Sequence, residues 1–300
     1  MKTVVSGRLA LVLLSVSLCL TAAAADTPGG PLGKLKWVKG PGSTELGKWA
    51  GIEVPAGYLF LGGEDTRMLM SAMGNFCNGN EVGFLTTASY FDTNDTTSAK
   101  WFVVFEFDEC GYVKDDEKKD LQADSILQSF KDGTERSNVE RRKRGDPGLT
   151  IIGWDVPPRY NESTHNLEWC IRAKDDNGNL VINHNTRVLG RHGVMKAILV
   201  ADPGQLPAIM PEYDKRIAGF QFKSGEKYSE YRQGDKIAKY GLAALIAGGA
   251  AAAAVKTGLL QKIIKPLIIG LIAVGAFFKK IFGRFFGKKD QGASGEPPQA

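Results

Sequence analysis

Hydrophobic and polar positions change period several times along the chain, and each change predicts an element. Ile52–Val54, the turn at Pro55 and Gly57, and the apolar run Tyr58–Leu61 predict two short strands. Thr66–Met73 predicts a short helix stopped by Gly74-Asn75. Trp101–Phe107 is apolar and aromatic almost throughout, the pattern of a central strand buried on both faces. Ala123, Ile126, Leu127 and Phe130 then recur at helical spacing. That helix continues to the basic cluster Arg141–Arg144, whose charges complement a helix C-terminus, and stops at Gly145. Leu149–Trp154 predicts a strand closed by Pro157-Pro158. Val194–Val200, Pro207–Ala218 and Phe220–Phe222 predict strand, helix and strand. This order predicts an α+β domain, an antiparallel sheet covered on one face by helices.

The strongest hairpin signal joins Leu167–Lys174 to Leu180–Leu189 through Asp176-Asn177-Gly178-Asn179. Asn-Gly favours a two-residue type I′ turn, which opposes Asp176 with Asn179 and Ile171 with His184. In that register one face carries Leu167, Trp169, Ile171, Ala173, Ile182, His184 and Val188 and packs on the core. The other carries Glu168, Arg172, Lys174, Asn183, Asn185 and Arg187 and faces solvent. Arg172, Asn183, Asn185 and Arg187 on that polar face are the candidate ligand-binding residues, since a guanidinium recognises anionic groups bidentately.

The two ends have a different pattern. Lys2 and Arg8 precede the apolar run Leu9–Leu20, and Ala23 and Ala25 supply small residues for cleavage, so residues 1–25 predict a signal peptide. Leu18 before Cys19 argues against lipidation of that thiol. Residues 26–48, rich in Gly, Pro and Lys, predict a tether or irregular lead-in to an exported domain over 49–234. Residues 236–260 predict a first transmembrane helix, about 36 Å long against a hydrocarbon core of about 30 Å. Residues 263–282 predict a second transmembrane or interfacial helix opened by Pro266, and 283–300 a basic, then disordered, tail. Two topologies compete: a hairpin, or a single crossing that keeps the basic tail inside, as the positive-inside rule prefers.

Composition changes this picture little. In 300 residues, 43% hydrophobic and 24% charged content is ordinary for a globular core. The net charge of +5 comes from the basic, acid-free stretch Lys256–Lys289, so it gives no argument for nucleic acid as a partner. Cys77, Cys110 and Cys170 remain after cleavage, an odd number without CxxC spacing.

Candidate chemistry is sparse. Gly42-Ser-Thr-Glu-Leu-Gly47-Lys48 approaches a phosphate-binding loop, but Trp49 stands where Ser or Thr should hold magnesium, so no nucleotide partner is expected. His165, His184 and His192 fall in no metal spacing, and no GxSxG elbow is present. His184 reads as a satisfied core histidine, and the other two as residues at strand ends. Asp115 and Asp116 read as helix-capping acids. Asp124, near the apolar stripe of its helix, invites Arg187 or Arg191 as a partner. No catalytic residue, metal or cofactor is assigned.

Five stretches carry a resemblance: Trp101–Asp108, Gly111–Asp116, Thr164–Trp169, Leu189–Met195 and Asp235–Leu242. In this order they resemble the bacterial membrane-anchored family known as domain of unknown function 2167, over roughly residues 35–260. The resemblance implies an exported domain followed by an anchor and transfers no active site. The ending Val194–Phe222 is also similar to that of small PsbP-like α+β domains. The expected role is binding or scaffolding at the periplasmic face of the inner membrane, with the lipid bilayer and another envelope protein as partners. An envelope-acting hydrolase and a lipid-deforming tail are the alternatives.

Overall fold

The structure is a computed structural model and describes residues 34–247, apart from 74, 76, 92–94, 96, 97, 120, 144 and 146. The expected signal peptide, second membrane segment and tail lie outside the described residues, but the described part of the first membrane segment, 236–247, is not the expected helix: 236–241 are irregular, and the five-residue helix Leu242–Ile246 packs in the domain. Among the described residues no helix is long and apolar enough to cross a membrane.

Among the described residues, eleven strands and four α-helices follow in order: β1 (Val38–Lys39), β2 (Gly42–Leu46), β3 (Ala50–Val54), β4 (Tyr58–Gly62), α1 (Gly63–Ala72), β5 (Glu81–Thr87), β6 (Trp101–Asp108), α2 (Ala123–Lys143), β7 (Leu149–Asn161), β8 (Asn166–Asp175), β9 (Leu180–Leu189), β10 (Val194–Ala201), α3 (Leu206–Ala218), β11 (Phe220–Phe222) and α4 (Leu242–Ile246). Eight strands form one sheet in the order β1-β4-β5-β6-β10-β9-β8-β7, and β11-β3-β2 form a second. All these pairings are antiparallel.

The α+β class holds, and β6 is the buried central strand its apolar run predicts. Helices on one face only do not hold. One face of the large sheet, with Leu85, Val103, Phe105, Ala197, Leu199 and Cys170, packs against α3 and the small sheet as one continuous cluster. The opposite face is covered by α1, α2 and α4 and carries two separate clusters. The lead-in expected over 26–48 contains β1 and β2, so Gly42–Leu46 is a strand paired with β3 and no phosphate loop.

Two further corrections follow from position in the sheet. β7 does not stop at Pro157-Pro158 but runs through both to Asn161. It is an edge strand whose register shifts between Val156 and Arg159, so the missing N–H groups interrupt no central ladder. In α2 the buried stripe changes chemistry: Ile126 gives way, at helical spacing, to Thr134, Ser137, Asn138 and Arg141. Asn138 clamps the start of β7 by exchanging two bonds of 2.8 Å with the Leu149 backbone, and Arg141 Nε donates to the Pro147 carbonyl at 2.7 Å. The cluster at this C-terminus thus serves more than the helix dipole.

Candidate functional site

The hairpin register decides where the four candidate residues lie, and it is one residue off the expected one. Lys174 opposes Leu180, Ile171 opposes Asn183 and Cys170 opposes His184. The connection is a three-residue loop, Asp176-Asn177-Gly178, closed by Asp175 N–H donating to the Asn179 carbonyl at 2.9 Å. Gly178 takes φ +87°, as such a loop requires. The Asp175 carboxylate locks it, accepting the N–H groups of Asn177 and Asn179 at 2.9 and 2.7 Å and the Asn179 side-chain amide at 2.8 Å. Burial pushes the Asp175 pKa up, but these bonds outweigh it and hold the carboxyl below its ordinary range.

Because side chains alternate, the slip swaps the partners of every β9 residue. Asn183, Asn185 and Arg187 share a face with Leu167, Trp169 and Ile171, and they are 1%, 7% and 9% exposed instead of solvated. Arg172 lies on the other face, paired with Asp155 of the edge strand β7. The structure therefore brings three of the four together and separates the fourth. The three form a polar row along β9 that divides the helix-covered face. Trp169 and Ile171 on its β8 side belong to one apolar cluster, and Ile198 and Val200 on its β10 side to the other.

At Arg187 a second row crosses the first. Arg187, Lys196, Glu106 and Glu81 are register partners on β9, β10, β6 and β5. The Arg187 guanidinium lies 4.7 Å from the centre of the Trp169 ring, and its Nη2 donates to Asn185 Oδ1 at 3.3 Å. Lys196 Nζ is 3.7 Å from Glu106 and 3.6 Å from Asp108. Tyr240 donates to Asp108 at 3.2 Å, which ties this corner to the segment leading into α4. Glu81 turns away and accepts the N–H groups of Asn78 and Gly79 at 2.9 and 3.0 Å. Burial pushes Glu106 up while Lys196 and Arg187 pull it back, and burial pushes Arg187 down to about 10 against the opposing pull of Glu106. With acids and bases this interleaved, the corner is a self-neutralising charge cluster and a poor receptor for an anion. Asn183 differs: neither its amide nitrogen nor its amide oxygen has a partner.

His184 and His165 mark two further places. His184 is buried as expected but not satisfied. It sits opposite Cys170 and edge-on to Tyr213, with a centroid separation of 5.3 Å, and neither ring nitrogen has a partner. Burial pushes it down to about 4, so it is neutral, and pushes Cys170 up to about 12. At the loop end the Tyr160 hydroxyl lies 3.1 Å from Asp115 and 3.0 Å from His165 Nδ1. His165 stands at φ +53° with its ring 4.4 Å from that of Tyr228. Burial, then Asp115, pushes the Tyr160 phenol far above its ordinary value, which makes it a weak acid. Asp124 is exposed, and its proposed partners are engaged elsewhere: Arg187 with Trp169, Arg191 with Asp235. A cleft of about 360 Å³ between α2 and β7 is lined by Lys131, Asp132, Thr134, Glu135 and residues 149–151, two strands away from β9. Among the described residues no three His, Cys, Asp or Glu side chains are placed to hold a metal.

A family model described as a protein of unknown function, DUF2167, matches residues 38–278. The chain belongs to that family. No curated protein matches it. Among solved structures, the solution structure of cyanobacterial PsbP (CyanoP) from Synechocystis sp. PCC 6803 is similar with a TM-score of 0.35 and 12% identity, over 65% of this chain and 100% of that one. In this DUF2167 domain the crossing charged row was missed by sequence reasoning. A partial signal was present: β8-β9-β10 is a run of consecutive hairpins, which makes β9 an interior strand.

Proposed function

We propose that this DUF2167 chain is an exported protein held at the periplasmic face of the inner membrane, where its α+β domain binds or scaffolds another envelope component. The observation that carries the reading is where the charge-free run Tyr240–Val255 begins. It starts inside the folded domain: Leu242, Leu245 and Ile246 of α4 are buried in the cluster that holds Val113, Leu189, Val194 and Tyr228. With 242–246 committed to the domain, a crossing falls to the apolar sequence after Ala247, and it starts at the surface of the domain, so the domain sits directly at the bilayer. Fractionation of cells carrying an epitope-tagged chain tests this. Processed chain is expected in the membrane fraction, its domain digested by protease added to spheroplasts. Uncleaved chain among soluble cytosolic proteins overturns it.

A second reading is an envelope-acting hydrolase, favoured by the convergence of His165, Tyr160 and Asp115. Its general base is His165, oriented through Nδ1 by the tyrosine. Replacing His165 with Gln separates the readings. A scaffold keeps its in-cell function, and a hydrolase loses it with the fold intact.

A further inference from the structure

Along residues 226–239 the acidic side chains are engaged while the basic ones are exposed; Lys223, just before them, pairs with Glu45 at 2.6 Å. His192 Nδ1 bonds Glu226 at 2.6 Å, and Glu230 accepts the backbone N–H groups of Gly225 and Lys227 at 2.8 Å each. Asp235 accepts two bonds from the Arg191 guanidinium at 2.7 and 2.8 Å. All three carboxylates are thus engaged by the domain itself. Lys227, Arg232 and Lys239 are exposed, and none forms an ion pair among the described residues. Lys236 is exposed too and donates to the Glu109 carbonyl at 3.1 Å.

Two large apolar side chains stand exposed among these cations, Tyr231 at 39% and Ile237 at 37%. Both gather at Tyr112. The Tyr231 ring is 4.4 Å from it, and Ile237 pairs with it across a parallel bridge. Tyr228 stacks on Tyr112 at 4.5 Å, which stiffens the platform. Outward cations around exposed aromatic and aliphatic groups make a surface suited to an anionic lipid interface. Its place along the chain argues for the same occupant, because Lys239 immediately precedes the charge-free run that opens with α4.

We infer that residues 227–239 form a headgroup-binding surface that lies on anionic phospholipid, with Tyr231 and Ile237 at the interface and Lys227, Arg232 and Lys239 over the phosphates. This rests on the anchored reading above and adds to it a lipid class and the residues that recognise it.

The test uses the full chain reconstituted into nanodiscs of phosphatidylcholine, with or without phosphatidylglycerol, followed by amide hydrogen exchange. Peptides covering 227–241 are expected to exchange about tenfold more slowly in the anionic discs, and salt should erase the difference. The triple variant K227Q/R232Q/K239Q should lose that protection while exchange across β6 and β10 stays unchanged. Equal exchange of the strip in both lipids, or protection that appears only when a second protein is added, overturns the inference. Failure of the chain to insert into either disc sinks the anchoring instead. The strip is then read by sedimenting the same chain with vesicles of the two compositions. Each cation near an anionic surface is worth about fivefold in partitioning, so the triple variant should bind the anionic vesicles roughly a hundredfold more weakly. Equal sedimentation with both compositions ends the proposal.

Discussion

The two faces of the large sheet are built from the same strands and solve burial differently. Under α3 and the small sheet the side chains form a single apolar cluster, and the buried hydroxyl groups of Tyr213 and Thr186 bond each other at 2.7 Å. Under α1, α2 and α4 the polar row on β9 splits the apolar surface in two, and charge is stored where the rows cross. β9 is interior to a sheet that is covered on both faces, so both of its own faces are hidden. β9 brings Asn183, Asn185 and Arg187 to one face and His184 and Thr186 to the other, so polar burial is forced on the whole domain. One face answers with ionised partners, the other with a neutral histidine.

The largest expected effect tests the charged corner. Arg187→Ala leaves Glu106 buried with a weaker counter-charge and should lower unfolding free energy by about 4 kcal/mol. Adding Glu106→Gln should recover part of the loss, and denaturant titration of the single and double variants measures the coupling. Strict additivity of the two would break the idea of a coupled corner. The same variant cannot report on ligand binding alone, because it tests the fold first.

The two faces should also titrate with opposite sign. His184 has a folded pKa of about 4 against an ordinary 6.5, so its contribution is present above 6.5 and is lost as pH falls toward 4. That loss is on the order of 3 kcal/mol, and His184→Phe should remove it from a pH series of unfolding curves. Glu106 is raised above the ordinary 4.5, so its contribution is full below that value and is lost as pH rises through the folded pKa. Glu106→Gln should flatten that second slope and leave the first.

A smaller effect concerns the loop that puts β9 in register. Asp175→Ala removes the three bonds that lock it and should cost about 2 kcal/mol. The cross-strand contacts seen by NMR should stay in the observed register, since the apolar partners of Asn185 and Arg187 also hold it. The smallest effect has the opposite sign. Asn183→Leu replaces an unpartnered buried amide with an apolar group of similar branching, and should be neutral or stabilising by about 1 kcal/mol. A strongly destabilised variant would mean that the amide is satisfied by a bound molecule.

Much of the fold was legible because local rules suffice where an element is apolar or sharply punctuated. Trp101–Phe107, the helix from Ala123 to the basic cluster before Gly145, and the segment Pro207–Ala218 all stand within a residue or two of their expected places. The candidate site was legible in composition but not in placement. Asn183, Asn185 and Arg187 were picked for their chemistry, and a loop one residue longer than Asn-Gly alone suggests, locked by Asp175 and held in register by apolar partners, places them in the core instead of solvent.

The amino-acid sequence alone determined the α+β class, the central place of β6, the limits of most elements and the apolar run that begins at Tyr240, because each follows from periodicity within a dozen residues. Tertiary structure alone decided which face each β9 side chain occupies, that both faces of the sheet are covered, and that Arg187, Lys196 and Glu106 meet. Those outcomes depend on strand order and register. A slip of one residue inverts every side chain of a strand without altering its local pattern.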